Sequence, residues 1–192
     1  MRVIAGTFRS RPLEAPSGLA TRPTSDRLRE TLFNVLAPRI AGARFLDLYA
    51  GSGAVGIEAL SRGAAQVVFV ERAAPAAKIL RANLGRLGIA SGFGLHAGSV
   101  TSLLRGPRSG AAQFDLIFLD PPYDAGEEYA TALGLLGGEA APFLASDGMV
   151  IAEHRRRQAP VDRYGVLSRA RLLVQGDAAL SFYTRENPAG TG

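Results

Sequence analysis

Apolar positions along this chain fall into short continuous runs separated by stretches of helical spacing. The clearest run is Phe114–Asp–Leu–Ile–Phe–Leu119, in which five of six residues are apolar. A run that short and without alternation predicts a strand buried on both faces, as in a parallel sheet. Comparable runs predict strands at Arg44–Tyr49, Gln66–Glu71, Phe93–Ala97 and Gly148–Glu153. Between them, apolar residues three and four apart predict helices over 25–37, Gly53–Arg62, Pro75–Leu87 and Glu127–Leu136. In the first, Leu28, Leu32 and Val35/Leu36 form the apolar stripe, Thr24 or Ser25 supplies an N-cap, and Pro38 ends the helix. Gly63 and Gly88 stand where helices close. Val166–Val174 and Ala179–Thr184, joined by Gln175–Gly–Asp177, read as a closing antiparallel hairpin. Strands alternating with helices, followed by a hairpin, predict a three-layer, Rossmann-like α/β fold. Its sheet is expected to hold seven strands, mostly parallel.

Residues 2–22 break this pattern. Val3-Ile4 and Leu13 lie among Arg2, Arg9 and Arg11, with Gly6 and Pro12 as breakers, so a short basic arm is expected. The organisation follows: an arm and helix over 1–40, one domain over 41–186, and a frayed tail over 187–192. The net charge of +5 changes the picture further. It fits a polyanionic partner, and equally a composition heavy in Arg, Ala and Gly. Lys78 is the only lysine, and arginine favours bidentate phosphate contacts and stacking. The absence of Cys excludes disulfides, thiolate metal sites and cysteine nucleophiles, and agrees with a cytoplasmic protein. No metal site is expected. No run reaches the length of a membrane span, and the apolar start is too short for a signal peptide.

The candidate chemistry lies where predicted strands end. Asp47–Leu–Tyr–Ala–Gly51–Ser–Gly53–Ala–Val–Gly56 runs from a strand into a helix. Its glycines allow a sharp turn and close approach of a ligand to the following helix N-terminus. Glu71, at the end of the next strand, can accept from ribose hydroxyls. A nucleoside cofactor is therefore expected. Asp47 would repel a pyrophosphate but not the ammonium of a methionine moiety, which favours S-adenosylmethionine over NAD. At the second strand end, Asp120–Pro–Pro–Tyr123 gives a carboxylate on a stiff corner with an aromatic ring nearby. An acceptor side chain, free carbonyls and a flat ring suit an exocyclic amine on a planar base.

These stretches resemble the motif series of class I methyltransferases that act on exocyclic amines. Val3–Ile–Ala–Gly6, Thr21–Arg–Pro–Thr24 with Asp26-Arg27, and Leu32–Phe–Asn34 narrow the resemblance to the RsmD family, up to about residue 185. That family methylates N2 of a guanine in 16S ribosomal RNA. The resemblance implies a class I methyltransferase fold, with Asp120 and the Pro121 carbonyl holding the amino group, Pro122 within the same motif, and Tyr123 stacking on the base. It implies that Asp47, Tyr49, Gly51, Ser52 and Gly53 hold the methionine end of the cofactor, Glu71 and Arg72 border its ribose, and Ser99 and Val100 meet its adenine. Ser99 stands where the family usually has Asp or Asn. Candidate RNA contacts are Arg9, Arg11, Arg22, Thr24, Arg27, Asn34, His154 and Arg155, with Arg156 and Arg157 beside them. His96, within a strand, reads as structural.

The expected activity is methylation of guanine N2 in the RNA of the small ribosomal subunit by a monomeric bacterial enzyme. Adenine-N6 methylation of DNA or RNA uses the same Asp–Pro–Pro–Tyr chemistry. An NAD-dependent oxidoreductase would share the glycine loop, but has no use for Asp–Pro–Pro–Tyr and lacks a substrate domain here. A non-catalytic RNA-binding assembly factor would not require intact motifs.

Overall fold

The structure, a computed structural model, describes residues 1–15, 23–106, 113–122 and 126–186. Side chains of Pro23, Thr24 and Ser25 lie outside that description, as do Arg22, Tyr123 and the tail from Asn187. The chain forms two compact units, Met1–Val100 and Thr101–Gly192.

In the first unit the predicted alternation holds: α1 (Pro23–Ile40), β1 (Arg44–Leu48), α2 (Ala54–Ser61), β2 (Gln66–Val70), α3 (Ala74–Arg86) and β3 (Phe93–His96). The strands are parallel in the order β3-β2-β1, with Leu46 opposite Val68 and Val68 opposite Gly94. Phe45, Leu46, Leu48, Val67 and Phe69 are fully enclosed, as continuous apolar strands between helices require. Helix α1 is longer than expected at both ends. It begins at Pro23, which suits a first helical position, so Thr24 and Ser25 fall inside its first turn rather than at the cap. Pro38 lies within it and does not end it. Burial of Leu36 and Ile40 holds the last turn, where a proline costs only the few hydrogen bonds left near a helix end.

The arm folds as a short antiparallel pair, with Arg2 bridged to Pro12, the Val3 amide donating to Arg11 O at 3.0 Å, and the Ser10 amide donating to Val3 O at 2.9 Å. It is seated on α2. The Glu58 carboxylate accepts from the Ile4 and Ala5 amides at 2.7 and 3.0 Å, and Ser61 Oγ accepts from the Phe8 amide at 3.0 Å. Gly6, at φ +81, runs so close that a Cβ there would lie 1.8 Å from the Ser61 carbonyl oxygen. Only glycine fits that crossing.

The second unit contains most of a short helix absent from the sequence reading, α4 (Val100–Leu104), then β4 (Phe114–Leu119), α5 (Gly126–Gly137) and a 3-10 turn at Ala141–Phe143. β5 (Leu144–Arg155), β6 (Arg163–Tyr164), β7 (Leu167–Gln175) and β8 (Ala178–Arg185) follow. Strand order is β4-β5-β8-β7-β6, with β4 and β5 parallel and the remaining pairs antiparallel. The closing hairpin is as expected, with Gln175 opposite Ala178 and Gly176 at φ +62 in the turn. The described residues hold eight strands instead of seven. The additional one is β6, whose two residues are too few to leave a pattern in the sequence.

Candidate active site

In the first unit, the C-terminal ends of three adjacent parallel strands bring the expected cofactor residues to one sheet edge. Asp47–Gly53 leaves β1, Glu71-Arg72 leaves β2, and Ser99-Val100 follows β3. Asp47 is buried, and its Oδ2 accepts from the Gly56 amide at 2.9 Å, tying the first turn of α2 to β1. The chain then turns sharply through Tyr49 at φ +65, Gly51 at φ +56 and Gly53 at φ +81. A tyrosine in the left-handed region is strained, and such strain concentrates where function requires it. A Cβ on Gly51 would meet nothing within 4 Å, so space is open above the loop. A Cβ on Gly53 would lie 2.0 Å from Leu80 Cδ1, and one on Gly56 would lie 2.2 Å from Phe69 Cε1. The three glycines thus do different work: Gly51 leaves room for a ligand, whereas Gly53 and Gly56 let α2 sit close to its neighbours.

Glu71 reaches this loop. Its Oε2 accepts from the Gly51 amide at 2.8 Å and its Oε1 from the Ala73 amide at 2.6 Å. The carboxylate is therefore held at the open side of the loop, where each oxygen retains a lone pair for a hydroxyl donor. Arg72 is exposed, Ser99 half-buried and Val100 buried. The cradle fits a nucleoside cofactor with a cationic end: open space at Gly51, one buried carboxylate at Asp47, and a second carboxylate at Glu71 one strand along the edge.

One residue the sequence reading passed over holds the back of this loop. Asn83 on α3 is fully buried; its Nδ2 donates to Ser52 O and to Glu14 O, both at 3.0 Å, and its Oδ1 accepts from the Glu14 amide at 2.8 Å. Glu58 and Ser61 on α2 were also missed. The available signal was Glu58 as the lone charge in the otherwise apolar and small-residue stretch Ala54–Ser61, where a carboxylate facing the core has to be paired.

In the second unit, β4 is enclosed from Leu116 to Leu119 and delivers Asp120 at its end. Asp120 as a residue is half-buried, yet desolvation of its carboxyl raises the pKa from 3.8 to about 7. Pro121 is buried and Pro122 exposed; Tyr123 lies outside the described residues. Tyr129 on α5 donates its hydroxyl to Glu153 O at 2.6 Å, fixing α5 to the end of β5.

His154 was expected to meet substrate, and the structure corrects that expectation. It is 1% exposed, with Nδ1 2.8 Å from Arg155 O and Nε2 2.8 Å from Ser181 Oγ. The carbonyl partner requires the proton on Nδ1, so Nε2 accepts from the serine hydroxyl. Burial lowers its pKa, the Arg155 carbonyl opposes that, and the charge of Arg169 adds to it. Both ring nitrogens are engaged, and the residue is structural. Arg9 and Arg11 on the arm, Arg27 and Asn34 on α1, and Arg155 at the end of β5 are exposed. Thr24 lies in the first turn of α1. Among the described residues, no group of three or more His, Asp or Glu could hold a metal ion, and no helix is long and apolar enough to cross a membrane.

A glycine turn and an acid at the ends of consecutive parallel strands, an Asp–Pro–Pro strand terminus and a closing antiparallel hairpin define the class I methyltransferase fold. Solved structures bear this out: yhhF of Escherichia coli superposes with a TM-score of 0.82 at 36% identity, covering 97% of this chain and 98% of that one. A hypothetical protein of Thermus thermophilus has a TM-score of 0.80 at 30% identity, covering 97% and 99%. The chain belongs to the family described as Conserved hypothetical protein 95, the RsmD family, whose family model matches residues 1–184. Among its relatives, Ribosomal RNA small subunit methyltransferase D of Escherichia coli (strain K12) is 35% identical over 191 residues, 97% of this chain and 90% of the relative.

Proposed function

We propose that this chain transfers a methyl group from S-adenosylmethionine to the exocyclic N2 amine of a guanine in small-subunit ribosomal RNA, acting as a monomer in the cytoplasm. The observation that carries the reading is Asp120, a desolvated carboxyl at the end of an enclosed strand and followed by two prolines. The name of the Escherichia coli relative supports ribosomal RNA as the substrate.

When bound, the cofactor supplies an activated sulfonium methyl. The contribution of the chain is alignment and electrostatics. Asp47, Tyr49, Gly51, Ser52 and Gly53 receive the methionine end, Glu71 with Arg72 the ribose, and Ser99 with Val100 the adenine. Asp120 and the Pro121 carbonyl accept the two amino hydrogens of the base, which favours a pyramidal nitrogen with its lone pair directed at the methyl. Pro122 stiffens the corner and Tyr123 stacks on the base. Once methylated, the amine would be acidic and would lose a proton. A carboxylate with a pKa of about 7 can hold that proton on its way to solvent. The base has to leave its stack to reach such a corner, which costs least in single-stranded or loop RNA. Arg9, Arg11, Arg22, Thr24, Arg27, Asn34 and Arg155 are the proposed RNA contacts.

Single-turnover methyl transfer to an undermodified small-subunit particle, with the product nucleoside identified by mass spectrometry, tests this reading. N2-methylguanosine is expected; N6-methyladenosine would reassign the activity to adenine.

Two further outcomes follow from the same assignments. Glu71→Ala is expected to weaken S-adenosylmethionine binding by roughly 1–3 kcal/mol, the scale for losing hydrogen bonds to a charged group. Calorimetry checks it, and NAD, titrated in parallel, is expected not to bind. Removing Arg9 and Arg11 together should flatten the dependence of RNA affinity on salt by up to about two units, since each phosphate contact releases counterions. A slope unchanged in the double variant would place the RNA elsewhere.

A further inference from the structure

We infer that Asn83 is a positioning residue that couples the seating of the N-terminal arm to the shape of the cofactor loop. This rests on the proposed cofactor and RNA roles, but it is carried by a separate observation. A single buried amide joins Glu14 of the arm to Ser52 of the glycine turn, across sequence separations of 69 and 31 residues.

The amide has one acceptor and two donor hydrogens, and all three are used. Oδ1 takes the Glu14 amide, while the two Nδ2 hydrogens go to the carbonyls of Glu14 and Ser52. The reverse orientation would set an NH₂ against an N–H and an oxygen against two carbonyls, so the partners fix the rotamer. The Ser52 carbonyl is one end of the peptide whose other end, the Gly53 amide, donates to Ala50 O at 2.7 Å. Holding that peptide plane at both ends fixes the turn that places Gly51 and Gly53 in the left-handed region. If Glu14 leaves, Asn83 loses two of its three bonds and its grip on Ser52 loosens. Glu14 continues the arm that bears Arg9 and Arg11, and its side chain also pairs with Arg86 on α3. RNA that presses the arm into place therefore orders the loop, and by reciprocity cofactor on the loop steadies the arm.

The test separates backbone from side chain at Glu14. Glu14→Pro removes the arm N–H that Asn83 accepts, whereas Glu14→Ala removes only the exposed ion pair and keeps that N–H. Asn83→Asp keeps the Glu14 acceptor but turns a carboxylate toward the Ser52 carbonyl. The probe is S-adenosylhomocysteine titrated by calorimetry without RNA, with hydrogen exchange at the Gly51 and Gly53 amides as the second readout. Affinity is expected to fall roughly 5-fold or more in Glu14→Pro and Asn83→Asp, with faster exchange at both loop amides. Glu14→Ala should stay within about twofold of wild type, the small effect expected of an exposed ion pair. Exchange that rises in the arm alone in Glu14→Pro, with loop and affinity as in wild type, would overturn the coupling. Failure of the wild-type protein to bind S-adenosylhomocysteine would overturn the cofactor assignment and this inference with it.

Discussion

Asp120→Ala is expected to slow methyl transfer by about 100- to 1000-fold while leaving S-adenosylmethionine affinity nearly unchanged. The pattern follows from where the residue stands. Asp120 leaves β4 in the second unit, apart in sequence from Asp47, the glycine turn and Glu71. Its proposed work is to orient the amino group as the N–C bond forms. An interaction made mainly in the transition state shows in kcat and not in cofactor binding. Asp120→Asn keeps an acceptor oxygen but loses the charge, so it should retain part of the rate. Tyr123→Phe should be milder than Tyr123→Ala, because stacking needs the ring and not the hydroxyl. Single-turnover rates with a saturating small-subunit particle measure all four, and a wild-type rate in Asp120→Ala would remove this residue from the reaction.

The same carboxyl gives a pH profile of definite sign. Desolvation raises its pKa to about 7, and only the ionised form accepts from both sides. The free-enzyme kcat/KM should therefore fall about tenfold per unit below pH 7 and level off above it. Stability runs the other way. The folded state keeps the proton that the unfolded chain releases near 3.8, so this group's contribution declines as pH rises from about 4 to 7 and is flat beyond. Asp120→Asn should remove that decline while lowering activity. Thermal melts of the two proteins at pH 5 and pH 8 compare the slopes.

What could be read in the chain was what has a local period or a local constraint. The enclosed run of β4 stops at Asp120 because two prolines forbid its continuation, and β1, β2 and the glycine turn announce themselves in the same way. His154 misled because a polar residue at a strand end normally faces solvent. Here β8 lies alongside β5 and pairs Ala179 with His154, and Ser181 on β8 caps the ring. Helix α1 outran Pro38 because burial of Ile40, a tertiary effect, outweighed a local rule. Asn83 gave no signal at all. Its partners are backbone groups 31 and 69 residues away, and backbone groups have no sequence identity to read.

The arm's other anchor predicts the largest loss of stability, about 3–5 kcal/mol for Glu58→Ala, the range for breaking a buried charge pair. Glu58 is fully buried on α2, and its two oxygens serve three donors: the Ile4 amide, the Ala5 amide and Arg62 Nε at 2.7 Å. Arg62 in turn lies 5.0 Å over the ring of Phe33 on α1, and Phe33 stacks with Phe45 on β1. Removing the carboxylate leaves two amides and a mostly buried guanidinium without their acceptor, and each such group costs its own desolvation. For a chain of this size the loss corresponds to a fall in Tm on the order of 10 °C. Glu58→Gln keeps one acceptor oxygen and should lose roughly half as much. The damage should also be graded in space. Arm amides such as Ser10 and Leu13, bonded within the arm to Val3 O and Met1 O, should exchange much faster, while the β1–β2 ladder keeps its protection relative to the new global stability. A Tm within about 2 °C of wild type would mean that Ser61, Gly6 and Asn83 seat the arm without Glu58. An equal loss of protection in arm and sheet would mean that arm and core unfold as one unit.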